Sequence, residues 1–256
     1  MNIVYSHIKP GLSGWKKRGA EIKYLKNGKI KIPTIYLKSK TKTDKVFLIA
    51  TGLHLEETSG PIFLLDSNRI FPHLRKLIKS MNVVLIPVIN QRGLIFDEKG
   101  PDSNLRLNEA GIHYNTRWGS NSTKCTEVVM VEKYISDLFT KFNIIFVLSL
   151  HEDTTEPGKG YLWMNSINKQ KRTFIQNYLI KHVPSKILCK LNNGGLRKGF
   201  VENKFTIVNS QDESFENFTS IILGIPTLLS EAPFGLSLPR RIFFHKTALN
   251  SIPFDL

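Results

Sequence analysis

The stretch FLIATGLHLEETSGP, residues 47–61, decides how this chain folds. An unbroken apolar run stops at Thr51-Gly52, and His54, Glu56 and Glu57 follow within five residues. Apolar residues in continuous rather than alternating order mark a strand buried on both faces, as in a parallel sheet covered by helices. Three further runs have the same character: NVVLIPVI (82–89), IIFVLSL (144–150) and IPTLLSE (225–231). Between them lie segments of helical period. Residues 126–142 carry apolar side chains at 128, 131, 135, 138, 139 and 142, with Thr126 as the expected N-cap. Residues 168–183 and 212–224 behave alike, the second closing on Gly224, and a last helix is expected from about Pro239. Ahead of the first run, residues 20–39 alternate polar and apolar around Asn27-Gly28, a hairpin signal. The expected fold class is α/β: a mixed, largely parallel central sheet flanked by helices. No repeat, low-complexity tract or Gly/Ser linker divides the chain, so residues 1–256 are read as a single domain.

The four runs end alike. The first is followed by His54 and Glu57, the second by Asn90, the third by His151 and the fourth closes on Glu231. If the strands are parallel, these ends share the edge of the sheet where open α/β proteins bind ligands. Two histidines and two carboxylates then converge in one crevice. Hydrolytic zinc sites commonly take two His and one Glu and keep a position open for water. His54 and Glu57, three residues apart on a tight turn, and His151 from a neighbouring strand supply that set. Glu231 is placed as the general base that a metal-activated water still needs. Glu56 has no assigned role.

Bulk composition excludes several classes. With 256 residues, 41% of them hydrophobic, the chain is long and apolar enough to bury a sizeable core. No apolar run reaches bilayer length, so a membrane partner is not expected. The first 21 residues lack the charged-then-apolar order of a secretory leader. Two distant cysteines, Cys125 and Cys189, fit a reducing compartment without a disulfide framework, and the expected location is the cytoplasm. The formal charge of +15 is spread over scattered lysines rather than one basic arm. Such scatter reads as solvated surface, and nucleic acid is not an expected partner.

In order and spacing these residues resemble the zinc metallocarboxypeptidase family, with its bacterial peptidoglycan-amidase and aspartoacylase/succinylglutamate desuccinylase-like relatives. The elements that carry the resemblance are GLHLEE, NQRG (90–93), LRLN (105–108), GIHYNTRWG (111–119), LSLHED and LLSEAP, which together span roughly residues 45–250. The resemblance implies a zinc carboxypeptidase-like fold with zinc (Zn2+) held by His54, Glu57 and His151, and Glu231 as general base and acid. It implies that Arg106 polarises the scissile carbonyl, and that Asn115 with a neighbouring arginine holds a substrate carboxylate. Three departures stand out. Thr116 occupies the place of that arginine, with Arg117 one residue later; either Arg117 serves instead or carboxylate recognition is altered. His113 replaces the aspartate that supports the first zinc histidine in many members. No tyrosine lies within residues 200–230, where the family's capping tyrosine is found, and Tyr161, on the loop after His151, is a substitute by position alone. The expected activity is zinc-dependent hydrolysis of an amide bond, as a metallocarboxypeptidase or peptide amidase. The alternatives are an N-acyl amino acid deacylase and a non-catalytic basic binding protein. The expected partner is a peptide or acyl-amino-acid substrate.

Overall fold

A computed structural model describes residues 3–54, 56–90, 106–107, 111–153, 160–182, 196–197, 200–201 and 213–253. Helix α1 (Ile3–Lys17) precedes the hairpin of β1 (Glu21–Asn27) and β2 (Ile30–Leu37), which turns at Asn27-Gly28 as the sequence indicates. The four apolar runs become β3 (Lys45–Thr51), β4 (Asn82–Ile86), β5 (Asn143–Asp153) and β9 (Thr227–Pro233). They lie parallel in the order β4-β3-β5-β9. The hairpin adds antiparallel to β4 through β2. β6 (Tyr161–Asn165) adds antiparallel to β9, and two-residue strands β7 (Leu196–Arg197) and β8 (Phe200–Val201) complete nine strands among the described residues. The second run pairs only as far as Ile86, because Pro87 has no N–H to offer the ladder.

Both faces of the sheet are covered, as the continuous apolar runs require. Phe47, Ile49, Val83, Leu85, Phe146 and Leu148 point into a core roofed by α1, α2 (Ser59–Leu65), α3 (Ser67–Leu77) and α7 (Leu238–Asn250). Their neighbours Val46, Leu48, Val84, Ile86 and Val147 point into a second core under α4 (Thr126–Lys141). This odd–even division follows from the two-residue period of a strand. Phe47 and Phe146 stack across β3 and β5 with ring centroids 5.5 Å apart. Trp15 is fully buried, and its indole Nε1 donates to the Leu64 carbonyl at 2.8 Å, tying α1 to α2.

Several helix details differ from the sequence reading. Cys125, not Thr126, is the N-cap of α4, a displacement of one residue, and Phe139 of the expected apolar stripe is exposed. Residues 169–182 form α5 (Lys169–His182). The segment expected as one helix over 212–224 is a single turn, α6 (Phe215–Asn217), followed by a π turn over Phe218–Ile222. Thr219 explains the break. Its hydroxyl lies within hydrogen-bond reach of the Phe215 and Glu216 carbonyls and, at 2.8 Å, of the Thr227 hydroxyl, which competes with a regular backbone ladder.

The turn that carries His54 is built on Gly52. Its φ of +73° lies in the left-handed region, and its carbonyl accepts from Asn90 N at 2.7 Å. A Cβ at Gly52 would sit 2.9 Å from Val88 Cα and 3.2 Å from the Pro87 carbonyl oxygen, both backbone atoms. Gly52→Ala is therefore expected to cost about 1–2 kcal/mol from the left-handed backbone alone, with the clash added. Urea unfolding measures this; a midpoint equal to wild type would show that the turn tolerates a side chain.

Candidate metal centre

The end of β3, the Gly52 turn and the start of α2 bring His54 and Glu57 beside His151 near the end of β5. All three are shielded from water, at 6%, 3% and 3% exposure. The Glu57 carboxylate lies between the two imidazoles: Oε1 is 2.6 Å from His54 Nδ1 and Oε2 is 2.9 Å from His151 Nδ1. One potential ligand atom from each residue lies within 4.8 Å of the others. Burial alone would raise the Glu57 carboxyl, yet the imidazoles of His54 and His151 hold it well below the usual carboxylate range. His151 shows the converse: burial opposes its charge, but Glu57 and Glu216 keep it protonated well above the ordinary histidine value. A buried anion thus depends on positive charge from its two neighbours. Two imidazole nitrogens and a carboxylate facing one point also form a donor set suited to a divalent metal ion, which would supply that charge in place of protons.

Glu231 reaches the same place through strand register, since it pairs with His151 across the parallel β5–β9 ladder. Its Oε2 is buried and has no hydrogen-bond partner among the described residues. Burial, partly offset by His151 and reinforced by Glu57, Asp153 and Glu216, pushes its carboxyl up to about 8. Tyr161 stands opposite Glu231 in the antiparallel β6–β9 ladder. It belongs to a strand, not to the loop expected from the sequence, because its segment Tyr161–Asn165, apolar in its first four residues, adds to the edge of β9. Burial and the facing Glu231 carboxylate raise its phenol well above the ordinary tyrosine value.

Of the remaining sequence candidates, Arg106 meets this centre directly, Asn115 meets it through Glu216, and Arg117 makes its contact elsewhere. Arg106 donates through Nε to Glu56, and its Nη2 lies 3.4 Å from Glu57 Oε1. Glu56 therefore has a partner, and its side chain is only 6% exposed. Asn115 accepts from Phe215 N at 2.9 Å through Oδ1 and donates to Glu216 Oε2 at 3.3 Å through Nδ2. Arg117 has a φ of +66°, and its Nη1 donates to the Thr123 carbonyl at 2.6 Å on the exposed side. His113 packs edge-on against His54 with ring centroids 4.8 Å apart, and its Nδ1 accepts from Asn115 N at 3.1 Å. Burial first, then the nearby His54 and Arg106, lower His113 to about 4. Asn90, directly after the second run, holds the turn that carries His54 by donating to the Leu53 carbonyl at 3.3 Å. Residues 91–93 of NQRG, and 105 and 108 of LRLN, lie outside the described residues.

Two residues of this neighbourhood went unassigned in the sequence. Glu216 has no signal of its own, being an ordinary acid at a helix start. Ser149 does have one: it is a polar residue inside an apolar run, two positions before His151 and so on the same strand face. Behind the turn, the fully buried His245 bridges Ser59 and Ser230, with each serine hydroxyl 3.0 Å from a ring nitrogen. Glu152 accepts from Ser59 N at 2.5 Å and from the Arg241 guanidinium.

Burial lowers His245 to about 3, so it folds neutral. A histidine with a depressed folded pKa stabilises fully above its unfolded pKa, about 6.5, and progressively less as pH falls toward 3. Between pH 7 and pH 5 that loss should reach about 2 kcal/mol. His245→Gln, which can still bridge both serines, should flatten the pH dependence of urea unfolding by that amount. Equal slopes in the two proteins would disprove it.

Comparison with known proteins places this geometry. No protein-family model matches the sequence, and no curated protein matches it significantly. Solved structures do match. A Shewanella amazonensis protein assigned as a metallopeptidase aligns with a TM-score of 0.69 at 21% identity, covering 95% of this chain and 90% of that one. A metallo-carboxypeptidase from Burkholderia cenocepacia aligns at 0.68 and 17%, covering 94% and 66% respectively. The Pseudomonas aeruginosa metallo-carboxypeptidase, solved with (2-guanidinoethylmercapto)succinic acid, aligns at 0.64 and 15%, covering 95% and 67%. At these identities the likeness is one of fold, and the buried His54–Glu57–His151 group at the sheet's edge accompanies it: the chain shares the fold of the metallo-carboxypeptidases it matches.

Proposed function

We propose that this chain, as one catalytic domain, is a zinc-dependent hydrolase of an amide bond, acting as a metallocarboxypeptidase or peptide amidase. The observation that carries this reading is the convergence of His54, Glu57 and His151 within 4.8 Å beside a rung that holds Glu231. Two imidazoles and one carboxylate favour zinc over the oxygen-seeking magnesium or calcium. When bound there, zinc supplies Lewis acidity, lowering the pKa of a water and polarising a carbonyl.

The chain's own residues divide the remaining work. Glu231 takes the proton of the attacking water and later returns it to the leaving nitrogen. Its Oε2, unbonded among the described residues, supports that role, as does a carboxyl raised into the range useful near neutral pH. Arg106 supplies positive charge where the carbonyl oxygen becomes anionic, anchored by Glu56. Asn115 and Tyr161 border the substrate. Arg117 would have to leave the Thr123 carbonyl before it could meet a substrate carboxylate. The carboxypeptidase neighbours support a peptide substrate over an N-acyl amino acid. No described helix is long and apolar enough to cross a membrane.

The test is direct. Purified protein is analysed for metal, then assayed against C-terminally free peptides, amidated peptides and N-acyl amino acids. Stoichiometric zinc with release of C-terminal residues is expected. A preparation that neither carries zinc nor accepts it would overturn the reading.

A further inference from the structure

His151 turns Nδ1 toward Glu57, so its second ring nitrogen, Nε2, faces away from the point where the three donors converge. Glu216 Oε1 stands 3.2 Å from that nitrogen, off the line of a straight hydrogen bond. Glu216 is itself held on both oxygens: Ser149 Oγ donates to Oε1 at 2.6 Å and Asn115 Nδ2 donates to Oε2 at 3.3 Å. Asn115 is fixed in turn by Phe215 N, the residue before Glu216. Ser149 lies two residues before His151 on β5, so the strand that presents the imidazole also presents the hydroxyl that holds the carboxylate. Glu216 occupies α6, immediately ahead of the π turn, a widened geometry that often accompanies functional sites.

His54 has no equivalent support. Its Nε2 is buried without a hydrogen-bond partner among the described residues, and the ring beside it is the imidazole of His113. A metal-ligating histidine gains orientation and basicity when its outer N–H meets a carboxylate. The chain places that carboxylate behind the second histidine.

We propose that Glu216 is a positioning residue for His151, its carboxylate fixing the proton on Nε2 and directing Nδ1 at the metal, with Ser149 and Asn115 holding Glu216 in place. The inference rests on the reading of His54, Glu57 and His151 as a metal centre. It requires no contact between Glu216 and substrate.

Metal-stripped wild type, Glu216→Gln, Ser149→Ala and His151→Ala proteins are titrated with Co2+ and with Zn2+ against a chromogenic chelator. The visible absorption of bound Co2+ is recorded alongside. Wild type should bind one ion and His151→Ala none. Glu216→Gln should bind about 10–100-fold more weakly with a shifted cobalt spectrum, and Ser149→Ala should move the same way by less. Glu216→Gln with wild-type affinity and spectrum would overturn the positioning role while leaving the metal centre standing. Wild type that binds neither ion would overturn both. Should Glu216→Gln fail to fold, a folded Ser149→Ala protein indistinguishable from wild type in affinity and spectrum would equally overturn the role.

Discussion

Glu231→Gln is expected to lower amide hydrolysis by roughly 10²–10⁴-fold while zinc content stays at the wild-type level. The substitution keeps the shape of the side chain and removes only its ability to take a proton. Glu231 is suited to that job by position and by environment. Strand register sets it beside His151, and its Oε2 is committed to no other described group. Burial raises its carboxyl to about 8, so it exchanges protons near neutrality and not at pH 4. It is not among the three converging donors, so the metal should remain bound. Steady-state kinetics with parallel metal analysis measures the split. Retained turnover would remove Glu231 from the general-base role, and loss of metal would make it part of the binding set.

His151→Ala should abolish stoichiometric metal binding and destabilise the fold. Two of the three donors remain, but Glu57 and Glu216 both lose the imidazole that lowers their carboxyls; burial would otherwise raise Glu216, which His151 and Ser149 hold at about 2. Removing one partner from a buried ionic cluster typically costs about 3–5 kcal/mol, because the charges left behind lose a compensating partner that bulk water does not replace. Ligand linkage adds a second effect: a metal held at a thousand times its dissociation constant stabilises the folded state by about 4 kcal/mol. Wild type should therefore melt at a lower temperature after chelation, whereas His151→Ala should not respond to the chelator. Thermal unfolding with and without chelator, together with metal analysis, tests this. A chelator response of wild-type size in the variant would place the metal elsewhere.

How much of the site could be read beforehand depends on how far apart its parts lie in the chain. His54 and Glu57 are three residues apart on a turn, and the unbroken apolar run before them marks the strand end. His151 and Glu231 each close a run of the same kind. Parallel pairing then brings them together with no information beyond strand direction. Tyr161 was harder: its segment joins the sheet only by antiparallel addition to β9, so its register with Glu231 comes from pairing and not from local pattern. Arg106 shows the same limit. LRLN marks it as a candidate, but its partner Glu56 lies 50 residues earlier. Glu216 was invisible, because its contact with Ser149 crosses 67 residues.

The sequence by itself determined the layered α/β class with a largely parallel sheet, the hairpin at Asn27-Gly28, the four apolar strands and the strand ends that carry His54, Glu57, His151 and Glu231. Each follows from hydrophobic period and turn chemistry, which act over a few residues. Only the tertiary structure decided what those ends do to one another. It set Glu57 between two imidazoles, aligned Glu231 and Tyr161 on adjoining strands, turned Arg117 outward to Thr123 and placed Glu216 behind His151. Those relations depend on burial and on partners tens of residues away, and the low local dielectric there makes each pairing consequential.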